Sequence, residues 1–104
     1  AAGGMLYASG QVPVDPATGE LAGADIETQA RQVFENLKQV LQAAGADFGS
    51  VVKTTVFLTD LANFGVVNDI YAEYFTEPYP ARSCVQISAL PKGALIEAEL
   101  IAEL

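Results

Sequence analysis

An arginine, a cysteine and a glutamate fall close together near the end of a chain that has few groups able to do chemistry. Pro80-Ala81-Arg82-Ser83-Cys84-Val85 holds one of only two arginines and the only cysteine, and Ile96-Glu97-Ala98-Glu99 follows after Leu90-Pro91-Lys92-Gly93. There is no histidine, so the side chain that ordinarily moves protons near neutral pH is missing. Chemistry here falls to a guanidinium, a carboxylate and a thiol. The planar fork of Arg82 suits bidentate capture of a carboxylate or phosphate. A glutamate can orient a water or take its proton. Cys84, with no histidine to activate it, reads as a buried structural thiol ahead of a nucleophile.

Two further positions stand out. Gly10, in Ser9-Gly10-Gln11, either marks a strand irregularity or lets a ligand approach the backbone closely. Asn68 is a solvated or capping polar residue on a helix, or part of a cleft. Metal ligation has no support: there is one cysteine, no histidine and no carboxylate set at calcium-loop spacing. Neither a glycine-rich phosphate loop nor a Gly-x-Ser-x-Gly elbow is present.

Bulk properties narrow the partners. Net charge is −8, and the five basic residues (Arg31, Lys38, Lys53, Arg82, Lys92) form no cluster. Nucleic acid is therefore not an expected partner, since neutralised phosphates supply most non-specific affinity. The 104 residues suit one domain with a real core. Mean hydropathy of +0.28 is high for a small soluble monomer, which points to apolar surface covered by a partner. No apolar run approaches the roughly 18–20 residues that span a bilayer, and no membrane association is expected. A lone cysteine forms no intrachain disulfide, so a cytoplasmic location is the default.

The elements that must position these groups follow from periodicity. Met5–Ser9 and Gln11–Val14 read as extended segments around Gly10, and Asp15–Glu20 as a turn. Ile26, Ala30, Val33, Phe34, Leu37, Val40, Leu41 and Ala44 form one apolar helical stripe, with Asp25 as N-cap and Gly45 at C′. Val51–Leu58 is a β-branched strand. Asn63 is placed to cap a second helix burying Phe64, Val67, Ile70, Tyr71, Tyr74 and Phe75, which Pro78 and Pro80 end. Arg82–Ser88 and Leu95–Ala102 read as two antiparallel strands joined by the Pro-Lys-Gly turn. The order β–α–β–α–β–β predicts an α+β layer, with two helices on one face of a mixed sheet.

Alternation puts Arg82, Cys84 and Gln86 on one face of their strand. Ile96, Ala98, Leu100 and Ala102 go under the helices, and Glu97 and Glu99 to the opposite face. The expected hairpin would bring Arg82 near Glu97 or Glu99, as a cross-strand ion pair or as a site. Gly3-Gly4 has the form of a two-residue hairpin turn with only Ala1 and Ala2 before it. A further N-terminal strand is therefore expected in the natural chain.

Taken together, Ser9-Gly10-Gln11-Val12-Pro13, Val52–Asp60, Val67-Asn68 with Tyr71 and Phe75, Pro80–Val85 and Leu90–Gly93 resemble, in order and spacing, the RidA (YjgF) family of enamine/imine deaminases. The resemblance covers essentially the whole chain. It implies a chorismate-mutase-like protomer in a homotrimer, with the sheets forming a central barrel and three sites in clefts between subunits. It also implies cofactor-free hydrolysis of 2-aminoacrylate-type enamines and their imines, released by pyridoxal-phosphate dehydratases, to 2-oxo acids and ammonia. By the same resemblance the residue at Arg82 grips the substrate carboxylate and that at Glu97 positions water. Ser9, Gly10, Asn68, Ser83 and Cys84 would shape or line the substrate cleft. The family's tyrosine-bearing N-terminal segment is not in these residues, in keeping with the expected further strand. The alternatives are a non-catalytic trimer that senses small carboxylates and, against the −8 charge, a ribonuclease.

Overall fold

The computed structural model describes residues 1–104. Its elements run β1 (Met5–Gln11), α1 (Ile26–Ala43), β2 (Val51–Leu58), α2 (Phe64–Tyr74), β3 (Ala81–Gln86) and β4 (Ile96–Glu103), in the predicted order. The four strands form one mixed sheet in the spatial order β1-β4-β2-β3. Both helices cover the same face. There Val33, Phe34, Leu37 and Leu41 of α1 and Val67, Ile70 and Tyr71 of α2 meet Ala8, Val56, Leu58, Ile96, Ala98, Leu100 and Ala102 of the sheet in one buried cluster.

Local chemistry explains these elements. Asp25 caps α1 by accepting the Thr28 backbone N–H at 2.9 Å and the Thr28 hydroxyl at 2.9 Å. Gly45 ends the helix at φ +76°, where a β-carbon is penalised. Of the predicted stripe, Ala30, Val33, Phe34, Leu37 and Leu41 are buried, with Gln29 added to them; Ile26 and Val40 are half-buried, and Ala44, just past the helix end, is exposed. Buried Gln29 donates to the Gly23 carbonyl and accepts the Leu95 N–H at 2.8 Å, which ties the entry of α1 to the residue just before β4. The Gly3-Gly4 turn is present: both glycines have positive φ, and Ala2 and Met5 exchange two backbone hydrogen bonds.

The cap carries a pH signature. Its bond from the Thr28 backbone, and then the one from the Thr28 hydroxyl, hold the Asp25 carboxyl below its ordinary 3.8. A depressed folded-state pKa contributes stability that is full above the unfolded value and lost as pH falls through the folded value. Glu73 follows the same sign, held below its ordinary 4.5 first by its hydrogen bond from Arg31. Asp25→Ala is therefore expected to lower the unfolding midpoint at pH 7 and to change it little at pH 2, as measured by circular dichroism melts.

Two expectations about the elements are corrected. Asn63 makes no side-chain cap. Asp60 instead accepts the Ala62 N–H at 2.9 Å and starts a short turn, Leu61–Asn63, that runs straight into α2. The larger correction concerns the last two strands. β3 and β4 are not neighbours, because β2 lies between them. β3 runs parallel to β2, with Thr54 opposite Arg82, and β4 runs antiparallel to β2, with Phe57 opposite Glu97. The β2–α2–β3 stretch is a parallel crossover unit, and helical crossovers return a chain alongside its own starting strand. Residues 87–95 then pass beyond the end of β2 to reach β4, so the Pro-Lys-Gly turn is no hairpin.

Candidate functional site

The register decides where the candidate residues go. Thr54 and Val56 are buried under the helices, so their β3 partners Arg82 and Cys84 face the helix side. Glu97 pairs with Phe57 on the opposite, open face. Arg82 and Glu97 therefore lie two strands and three residues apart on opposite faces, about 10 Å across and about 10 Å along the sheet. The expected Arg82–Glu97 or Arg82–Glu99 contact does not form within one chain. The residues expected to make one constellation make two.

The first centres on Arg82, at the exposed edge of the sheet where β3 meets α2. Its guanidinium Nη1 donates to Asn68 Oδ1 at 2.8 Å. Its Cζ lies 4.6 Å from the ring centroid of Tyr71 and 5.3 Å from that of Phe64. Phe64, Asn68 and Tyr71 sit at offsets 0, 4 and 7, one stripe of α2. No carboxylate of the chain pairs with Arg82; the ion pairs present both belong to Arg31. The guanidinium opens on a cleft of about 420 Å³ lined by Asn68, Tyr71, Ala72, Tyr79, Pro80 and Arg82. A cation with free donors, held from one side by an aromatic face and an amide oxygen, has the chemistry to receive a small carboxylate.

Cys84 lies two residues on, half-buried against the core. Burial pushes its thiol above the ordinary 9.0, and Arg82 only partly offsets this. The group is a thiol at neutral pH and a poor nucleophile. Alkylation by iodoacetamide at pH 7.5 is accordingly expected to be slower than that of a free cysteine and to go on rising with pH after a free cysteine has levelled off, followed by intact mass.

The second constellation lies at the far edge of the sheet. Between the pairs Ala8–Leu100 and Gln11–Ala98, Ser9 and Gly10 together oppose Glu99, so the strand irregularity at Gly10 is a β-bulge. The close approach at Gly10 is also real: a β-carbon there would overlap the carboxylate of Glu97. Ser9, Gly10 and Glu97 are thus brought together, and only glycine permits it. Ser83 joins neither group; on the open face its hydroxyl accepts from Lys53 Nζ at 3.0 Å.

Three participants carry no site signal in the sequence reading: Tyr71, Phe64 and Tyr79. The spacing Phe64–Asn68–Tyr71 is the signal that could have found two of them, since an amide between two aromatics interrupts an otherwise apolar stripe. A second depression of about 420 Å³ lies between the end of β1 and α1. It has no charged lining residue, and the Asn36 amide is already bonded to the Val12 and Val14 carbonyls.

Known proteins share this fold. The family profile described as Endoribonuclease L-PSP matches residues 1–104. The chain belongs to this family, the RidA (YjgF) family. Among curated relatives, a Salmonella typhimurium protein named 2-iminobutanoate/2-iminopropanoate deaminase is 52% identical, over 96% of this chain and 80% of that protein. Among solved structures, a Rid-family protein of unknown function from Yersinia pestis superposes with a TM-score of 0.97 at 53% identity, over 100% of this chain and 83% of that one. The Escherichia coli protein TdcF, solved with bound serine, superposes at 0.93 and 46% identity, over 100% of this chain and 84% of that one. The α+β protomer with two helices on a four-stranded mixed sheet is therefore the family's fold. No helix is long and apolar enough to cross a membrane.

Proposed function

We propose that this protein hydrolyses small imines that carry a carboxylate, of the 2-iminopropanoate and 2-iminobutanoate type, to 2-oxo acids and ammonia. The observation that carries the reading is Arg82: a guanidinium with no carboxylate partner in its own chain, fixed by Asn68 and Tyr71 at the mouth of a small cleft. The names of relatives support the same substrate class, and the serine bound to TdcF is a small amino-acid carboxylate.

In this reading Arg82 takes the substrate carboxylate through its free N–H donors. Water adds to the imine carbon, and the carbinolamine so formed expels ammonia as its C–N bond breaks and the carbonyl forms. The intrinsic barrier is modest, so fixing the substrate and orienting one water is sufficient catalysis. No cofactor is needed for these steps. Glu97 is the group to orient the water, and its own chain cannot bring it to Arg82. The site is accordingly completed between subunits: the Arg82–Asn68–Cys84 half of one protomer faces the Ser9–Gly10–Glu97 half of its neighbour.

The open face of the sheet supports such assembly. It has no helix cover and presents Tyr7 at 59% exposure and Val85 at 41%, alongside Phe57 and Ile101. A homotrimer with the open faces turned inward into a barrel would bury this surface. Mixed charge on the same face, from Lys53, Glu97, Glu99 and Glu103, would set which protomer edges meet.

The deciding assay couples the protein to a pyridoxal-phosphate dehydratase that releases 2-aminoacrylate from serine. The expected result is faster appearance of 2-oxo acid and ammonia than with the dehydratase alone. Binding of 2-oxobutyrate with no acceleration of imine decay would instead make the protein a carboxylate sensor. RNA cleavage, suggested by the family's description, is disfavoured by the −8 charge and the scattered basic residues.

A further inference from the structure

We propose that Thr54 and Tyr71 act as a positioning pair for Arg82, and that their buried hydroxyl–hydroxyl bond sets how tightly the guanidinium holds a carboxylate. This rests on the reading of Arg82 as the carboxylate clamp. Thr54 is buried in the apolar layer under α2, at 2% exposure, and its Oγ1 lies 2.8 Å from Tyr71 Oη. A buried hydroxyl costs stability unless it is paired, and valine would fill the same space at no such cost. Tyr71 is the one partner of that hydroxyl.

The pairing closes a loop of contacts. Thr54 sits opposite Arg82 in the parallel β2–β3 register, and Arg82 lies over the ring whose far end Thr54 holds. The sides of the ring are fixed by Phe75, stacked at 4.3 Å, and Phe34, edge-on at 5.8 Å. The hydroxyl bond fixes its tip. Asn68, one helical turn earlier, holds Nη1. The floor beneath the guanidinium is therefore a helix stripe whose Tyr71 end is anchored directly into the sheet that carries Arg82. Bidentate recognition depends on the plane of the guanidinium, so a tilting floor weakens it without touching the substrate. Burial raises the Tyr71 phenol above its ordinary 10.0, so it stays a neutral hydrogen-bonding group across physiological pH.

The test uses Thr54→Val, Tyr71→Phe, the double variant and Thr54→Ser in the full chain. Thr54→Val and Tyr71→Phe are each expected to raise KM for the imine and Kd for 2-oxobutyrate about 3- to 10-fold, with kcat within about twofold, because only positioning is impaired. The double variant should be no worse than the poorer single one, since both remove the same bond. Thr54→Ser keeps the hydroxyl and should keep KM near the unaltered value. A readout independent of catalysis comes from arginine side-chain NMR, which is simple with two arginines. The Arg82 Nη signals should show faster rotation about Nε–Cζ in the variants, while Arg31, clamped by Glu73 at 2.9 and 3.1 Å, serves as the unchanged reference. Variants that melt earlier yet keep KM, Kd and the Arg82 signals would overturn the proposal and leave the pair purely structural. If Arg82→Ala still binds 2-oxobutyrate and still turns over imine, the clamp reading itself fails, and the Arg82 resonances of the other variants show separately whether the pair orders the guanidinium.

Discussion

Arg82→Ala is expected to lower kcat/KM for imine hydrolysis by two to three orders of magnitude while the protein keeps its fold and assembly. The size follows from the interaction that alanine removes. A bidentate charge-assisted pair contributes about 3–4 kcal/mol in a partly desolvated cleft, at roughly 1.4 kcal/mol per factor of ten. The fold survives because Arg82 is exposed on an edge strand and its partners are held elsewhere. Tyr71 keeps Thr54 and Phe75, and Asn68 is only half-buried and can bond water instead. What disappears is the exposed hydrogen bond to Asn68 and the cation–π interactions, the latter worth about 0.5–1 kcal/mol at an exposed site. Arg82→Lys should recover part of the binding and little of the orientation, because an ammonium is a point charge without the fork. Coupled-assay kinetics with circular dichroism and native mass spectrometry check these outcomes. Unchanged kcat/KM in Arg82→Ala removes the proposed clamp.

The second large effect is a gain. Arg82→Ala and Glu97→Gln are each expected to be nearly inactive, and mixing them through unfolding and reassembly should restore activity. In one chain the two residues lie on opposite faces of the sheet, with β2 between their strands, so the proposed site draws them from different protomers. In a randomly mixed trimer about one interface in four pairs an intact Arg82 half with an intact Glu97 half, so about a quarter of the unaltered activity should return. Mixtures that stay inactive after proven subunit exchange would place both residues' roles within a single protomer or remove one of them. Gly10 enters here as well. A side chain there would push the Glu97 carboxylate out of place, so Gly10→Ala should behave like Glu97→Gln and be complemented by the same partner.

Local physics made most of the elements legible in advance. The α1 stripe, its Asp25 cap and Gly45 end, the β-branched β2 and the alternation in β4 all follow from interactions within a few residues, and all are present. The Gly3-Gly4 turn and the Gly10 irregularity are likewise local, because each depends on what a backbone without a β-carbon can do. The family resemblance added the assignment of Arg82 and Glu97, which residue chemistry alone left as an arginine and one of two glutamates.

Strand order was not legible. A strand, a short turn and a strand look like a hairpin in any sequence, and nothing within Arg82–Ala102 says that β2 will pair with both. That outcome is set by where α2 packs: its buried face must meet α1 and the sheet at once, which returns β3 parallel to β2 and leaves β4 the inner place beside it. Asn63 misled for a related reason, since Asp60 begins the helical path one turn earlier and leaves no cap for Asn63 to make. Thr54 gave no sign at all, because a threonine in a β-branched strand needs no explanation until a tyrosine hydroxyl from a helix reaches it.

The sequence by itself therefore determined most of the elements, the absence of histidine chemistry and the few groups available to bind a carboxylate or orient a water. Those depend on composition and on spacings shorter than one element. Only the tertiary structure decided which face each group uses, because facing is a property of strand register, and register is fixed by contacts between segments remote in the chain. It put Arg82 on the helix side at the exposed edge beside α2, left Glu97 on the open face against Gly10, and separated one expected constellation into two.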